Sequence, residues 1–186
     1  MSLPTAVGVA RLARFRADGL LAFDATPTGL LNALAPWVAF AVVGFVMALI
    51  SGTVGAALGD LLGTMVALLA PAVLSEAAAR LWRRDAAWLR YAVALTWCQW
   101  AMPPALLAAI VLSGMLVATG LPREIAELVG ALALLAYALG LHFFVARHAL
   151  ALSRWRTAAL VAIVNIGTGA LVMGPMLLQN ALDGPA

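Results

Sequence analysis

Five long apolar runs, separated by short charged segments, constrain this chain more than any other feature. They lie at about 30–50, 53–74, 91–116, 125–146 and 157–178. Each holds the roughly 20 mostly apolar residues that an α-helix needs to cross the hydrocarbon core of a bilayer. A helix also satisfies its own backbone donors and acceptors, which hydrocarbon cannot do. Charged residues make up 10% of the chain and hydrophobic residues 65%, with a mean hydropathy of +1.05. A soluble domain carries about 25% charged residues. No water-soluble fold of this size has enough interior to hide so much apolar side chain. The expected fold class is therefore an all-α membrane protein. It would be a five-transmembrane-helix bundle preceded by an N-terminal amphipathic interfacial helix.

The basic residues give this bundle a direction. All eleven are arginine. Ten lie before the first run, between the second and third, or between the fourth and fifth; Arg123 alone falls on the other side. Short loops rich in arginine stay in the cytoplasm. The expected topology is multi-pass, with a cytoplasmic N-terminus and a periplasmic C-terminus. The lack of lysine beside abundant Ala, Leu, Gly and Arg suggests a GC-rich bacterial genome, and hence a bacterial inner membrane. A pI near 10.0 could also signal nucleic acid. The charges bracket the spans instead of clustering, so no nucleic-acid partner is expected. Cys98 is the single cysteine and matches no disulfide, thiol or metal pattern.

Residues 1–26 read as a cytoplasmic amphipathic segment and 27–186 as the transmembrane domain. Leu12, Phe15, Gly19 and Phe23 share one helical face, flanked by Arg11, Arg14 and Arg16, as in a helix lying on a leaflet. The rival reading is a signal peptide, with Ala33-Leu34-Ala35 as a cleavage site. Asp18, Asp24 and Pro27 interrupt the apolar stretch that it would need. Thr26-Pro27 reads as a helix start, threonine as N-cap and proline at the first position. Span two has two possible frames. One runs from 53 to 74; the other starts after Asp60 as N-cap and runs to Leu81. The first is preferred, with Glu76, Arg80, Arg83, Arg84 and Asp85 as a polar loop. Pro103-Pro104 should break the middle of span three, because adjacent prolines remove two donors and clash with the preceding turn.

Several residues could carry more than packing. Gly55, Gly59 and Gly63 form a strip in span two where another helix can approach closely. Asp60 lies about 10 Å from the outer end of that span. A carboxylate there faces a partner, a cavity or a proton path, unless it caps a helix. Gln99 and Asn165 fall at similar depth, about 12 Å from the inner ends of their helices, and could meet or share a water. Pro103 and Pro104, with Gly174 and Pro175 in span five, are candidate hinges. A broken helix opposite a carboxylate is how many ion sites look, and how many plain kinked bundles look. His142 is a possible pigment or haem ligand. It cannot pair with His148 on one iron, since six residues turn them about 240° apart. No metal site, cofactor, nucleophile–base pair or phosphate loop is expected, and the chain does not read as an enzyme.

Two stretches carry a family resemblance. One is Trp88-Leu89-Arg90-Tyr91 leading to Pro103-Pro104. The other is Ala146-Arg147-His148-Ala149-Leu150-Ala151-Leu152-Ser153 running into span five. With five spans in about 190 residues, they resemble the bacterial form of the Ypt-interacting-protein (Yip) family. The aspartate-leucine-tyrosine-glycine-proline run of its eukaryotic members is absent. The resemblance implies a non-enzymatic integral membrane protein that works through other proteins. On this reading the leading function is a scaffold, assembly or accessory subunit whose glycine strip packs on a membrane-protein partner or a second copy within the lipid bilayer. A small transporter or channel using Asp60 is the second expectation, and a haem- or pigment-binding subunit the third.

Overall fold

The computed structural model describes residues 3–52 and 54–183, and all regular structure among them is helical. Helix α1 covers Leu3–Leu12 and is followed by a short 3-10 segment, Ala17–Ala22. The long helices are α2 (Pro27–Ile50), α3 (Val54–Leu81), α4 (Asp85–Cys98), α5 (Met102–Ala118), α6 (Arg123–Leu150) and α7 (Arg154–Asp183). Helices α4 and α5 form one crossing, joined by a 3-10 turn at Gln99–Ala101. Five crossings are thus long and apolar enough to span a membrane. The protein is a polytopic membrane protein with an all-α bundle fold.

The start of α2 follows from its first four residues. Thr26 is extended, and its hydroxyl oxygen accepts from the backbone N–H of Gly29 at 3.0 Å, with Pro27 at the first helical position. The Thr26 hydroxyl donates in turn to Asp24. Gly29 must lack a side chain, because a Cβ there would collide with the backbone oxygen of Asp24.

Three local expectations are corrected. The apolar face expected to run along one helix from Leu12 to Phe23 is folded in two. Phe15 takes a left-handed conformation (φ 56°) after α1, and the 3-10 segment turns back on that helix. Gly8 and Gly19 allow the approach: a Cβ on Gly19 would lie 2.7 Å from the Gly8 carbonyl oxygen. Second, α3 does not end at residue 74. It continues to Leu81, so Glu76 and Arg80 form an i,i+4 ion pair on a helix instead of standing in a loop. Third, the break in span three falls ahead of the prolines. Pro103 and Pro104 occupy the first turn of α5, where their missing N–H groups have no intrahelical partner to lose.

Packing is concentrated at the end where the arginine-rich segments meet. There α4 lies among α1, α2, α3 and α6, while α6 and α7 pack on one another. Leu12, Tyr91, Val93, Val145, Leu150 and Leu160 are fully buried at this end. Phe15 inserts between Tyr137 and Phe144, edge-on to both rings, and the Tyr137 hydroxyl donates to the Ala13 carbonyl at 3.0 Å. Toward the other end the bundle divides. Helix α5 packs chiefly on α6, whereas α3 packs on α2 and α7. In α5 only Ala109 is buried.

Candidate functional site

The division of the bundle leaves a cavity of about 580 Å³ between α2, α3 and α4. Helix α2 contributes Trp37 and Phe40, and α3 contributes Asp60, Thr64 and Ser75. Tyr91 and Thr96 come from α4, with Gln99 at the break. Asp60 sits six residues into α3, about 9 Å along its axis. It is therefore not an N-cap, and the capping role weighed for it is corrected. Its backbone carbonyl accepts from Thr64 at 2.7 Å. Its carboxylate makes no hydrogen bond or ion pair among the described residues. The indole N–H of Trp37 is buried and also lacks a partner, and its ring lies 5.3 Å from that of Trp100.

A second cavity of about 310 Å³ lies across α4, bounded also by α3, α6 and α7. Ala67, Pro71, Leu95 and Gln99 line both cavities, so little more than a wall of side chains separates them. Gln99 and Asn165 both line the smaller one, as their matched depths led us to expect, but they do not bond directly. Asn165 turns to His142 instead.

That turn builds a polar chain across three helices, buried at Tyr91 and His142. The Asn165 side-chain nitrogen lies 2.7 Å from the Val161 carbonyl, which can only accept, so the amide NH₂ faces it. The same nitrogen lies 3.1 Å from His142 Nδ1. Nδ1 is therefore the acceptor, and the neutral ring carries its hydrogen on Nε2. Nε2 lies 2.6 Å from the Tyr91 hydroxyl and donates to it. Beside this chain the Ser75 hydroxyl donates to the Ala72 carbonyl and accepts from the Trp88 indole, both at 3.0 Å. Both nitrogens of His142 are thus engaged, and a haem iron would have to displace one of these bonds. Ser75 was not singled out from the sequence, and Trp88 and Tyr91 were named for the family resemblance and not as site residues. The available signal was depth, since Tyr91 and His142 lie six and eight residues from the same end of their helices.

The remaining candidates stand apart from this cluster. At Gly55, Gly59 and Gly63 an added Cβ would meet nothing within 4 Å, so the strip is not used for close packing within the chain. By contrast Gly130 meets the Ser113 side chain, and Gly167 would put a Cβ 2.8 Å from Leu74. Pro103 and Pro104 flank the break beside Gln99. Gly174 and Pro175 lie within α7, which continues past them. No group of three or more His, Cys, Asp or Glu side chains suited to a metal occurs among the described residues. No family model, curated protein or solved structure matches this chain.

Proposed function

We propose that this polytopic membrane protein binds a small solute within the bilayer, as a transporter or channel does, with the cavity between α2, α3 and α4 as its site. One observation carries the reading. The Asp60 carboxylate lies inside an apolar span, has no protein partner among the described residues, and lines a cavity of about 580 Å³. An ionisable group at such depth is costly and faces a partner, a water-filled space or a substrate path. A cavity of several hundred cubic ångströms is the size of a small-molecule site. The protein acts without catalysis on this reading, and the placement of its arginines supports a cytoplasmic N-terminus in a bacterial inner membrane.

The test is solvent access. Thr64→Cys in a Cys98→Ser background places one thiol on the cavity wall. A water-soluble methanethiosulfonate should modify it in intact membranes, while Leu107→Cys on the exposed flank of α5 should stay unreactive. A Thr64→Cys thiol as inert as the Leu107 position would sink the proposal.

The glycine strip favours a second reading, that of a scaffold or accessory subunit, which agrees with the layout shared with Yip-type proteins. Three glycines at four-residue spacing face open space. Such strips let a partner helix approach to backbone contact. Leucine at Gly59 should then disperse a complex that co-purifies in mild detergent. An unchanged complex removes this reading.

A further inference from the structure

We propose that the α2–α3–α4 cavity takes an organic monocation with an apolar body, a quaternary or protonated amine carrying an aryl or alkyl group. This rests on the reading of that cavity as a solute site and names the chemistry it selects. Among the described residues lining it, Asp60 is the sole acid, and no arginine or histidine joins it. In a chain of net charge +3, the cavity is a local negative spot. An anion would meet only repulsion there, and a neutral apolar solute would leave the carboxylate unpaired.

The distribution of groups along the cavity fixes the shape of the ligand. Asp60 lies six residues from the start of α3, about 9 Å along it. Phe40 and Trp37 lie ten and thirteen residues from the adjoining end of α2, about 15 and 20 Å along that helix. The aromatic residues therefore sit roughly 6–11 Å deeper than the carboxylate, the length of a short arylalkyl ammonium ion. Trp37 and Phe40 pack 6.4 Å apart and present ring faces and edges suited to an apolar body. They also tolerate positive charge nearby, through the negative faces of the rings. A divalent metal ion is a poorer match, since it demands several oxygen ligands and the cavity offers a single carboxylate.

Phenylpropyl-trimethylammonium tests the proposal, beside its neutral isostere in which carbon replaces the charged nitrogen. Binding to the full chain is measured by calorimetry in nanodiscs of an uncharged glycolipid, digalactosyldiacylglycerol, whose surface does not itself attract the cation. The ammonium ion should bind about tenfold or more tighter than the isostere, the difference expected from one coulombic contact with a carboxylate. Asp60→Asn should erase that preference and Asp60→Glu should keep it. Equal affinities for the two probes in the wild type, or an undiminished preference in Asp60→Asn, overturns the cation assignment. Gly44→Phe separates this failure from that of the underlying reading. Gly44 lines the cavity and a Cβ there meets nothing within 4 Å, so the ring has room to fill the space. If Gly44→Phe abolishes binding of both probes, the cavity is the site whatever its charge preference. If it abolishes neither, the cavity reading falls with the cation. Phosphatidylcholine discs separate the two sources of such a cation. Weaker probe binding there identifies the choline headgroup as a competing occupant, and equal binding points to a soluble cation.

Discussion

The two ends of this bundle are built on different terms. Where the arginine-rich segments meet, five helices and the N-terminal segment close around Tyr91, Val145 and Leu160. Toward the other end α5 stays with α6 while α2 and α3 stay together, and a cavity opens where α2 and α3 face α4. The turns follow the same division. At the packed end they use left-handed residues that carry side chains, namely Phe15 (φ 56°), Arg83 (φ 55°) and Ala151 (φ 50°). At the open end the left-handed positions are Gly52 and Gly120. A side chain in that conformation costs roughly 1–2 kcal/mol per residue. The packed end holds three such residues because tertiary contacts over-determine the path of the chain. The open end has few contacts to spend and places glycine there. The contrast also explains where a solute site could arise. Polar groups are satisfied within the protein at the packed end, as in the Tyr91–His142–Asn165 chain. Asp60 and the Trp37 indole lie beyond that packing and keep their bonding capacity.

The strongest way to break this comparison is to remove matched bulk from each end. Tyr91→Ala empties a fully buried position and strips His142 Nε2 of its partner. It should cost about 4 kcal/mol of stability, in the range seen for large aromatic truncations. Leu107 is 62% exposed on α5. Leu107→Ala should cost less than about 0.5 kcal/mol, as substitutions away from packed sites do. Unfolding in a graded mixture of mild and denaturing detergent measures both. Equal losses would mean that the division into a packed and an open end is wrong.

How far these features could be read beforehand depended on whether they were local. Helical spans depend on apolar runs in a bilayer, and the cap at Thr26-Pro27 depends on adjacent residues; both were legible. The span-three prolines pointed to the right helix but displaced the break by a few residues, because proline sits most easily in a first turn. Glu76 and Arg80 looked like loop residues because they are charged, although their spacing of four suits a helix face. The polar chain was not legible. Depth along the helices brought Asn165 to the right level, but which faces meet is set by the packing of α3, α4, α6 and α7 together. Gln99, the expected partner, points to the cavities, while His142 on α6 faces Asn165. The folding of the N-terminal segment was hidden for a related reason. Gly8 and Gly19 have meaning only once they are opposed, eleven residues apart in sequence.

A smaller effect sharpens the comparison within one helix pair. Gly130 is the tight point of α5 against α6, where a Cβ would collide with the Ser113 side chain. Gly130→Leu should cost about 1–3 kcal/mol through overpacking. Gly114→Leu on α5 should be close to neutral, since nothing lies within 4 Å of the added Cβ. The same detergent titration reads both. Similar losses at the two positions would place Gly114 against a neighbour and argue that the open end is closed by a second chain.

The smallest expected effect reverses sign between the two ends. Ala151 ends α6 in the left-handed region, and its side chain is exposed. Ala151→Gly removes the steric penalty but adds conformational entropy to the unfolded chain, so the two terms partly cancel. The net gain should be about 0.5–1 kcal/mol. Gly120 holds φ 92° at the turn between α5 and α6. Gly120→Ala imposes the penalty and should cost about 1 kcal/mol or more. Thermal unfolding in mild detergent would show the first variant melting higher than wild type and the second lower. A loss for Ala151→Gly would mean that its methyl group contributes to the packed end despite its exposure. The strain at that turn would then be balanced locally, without the wider packing of α6 against α7.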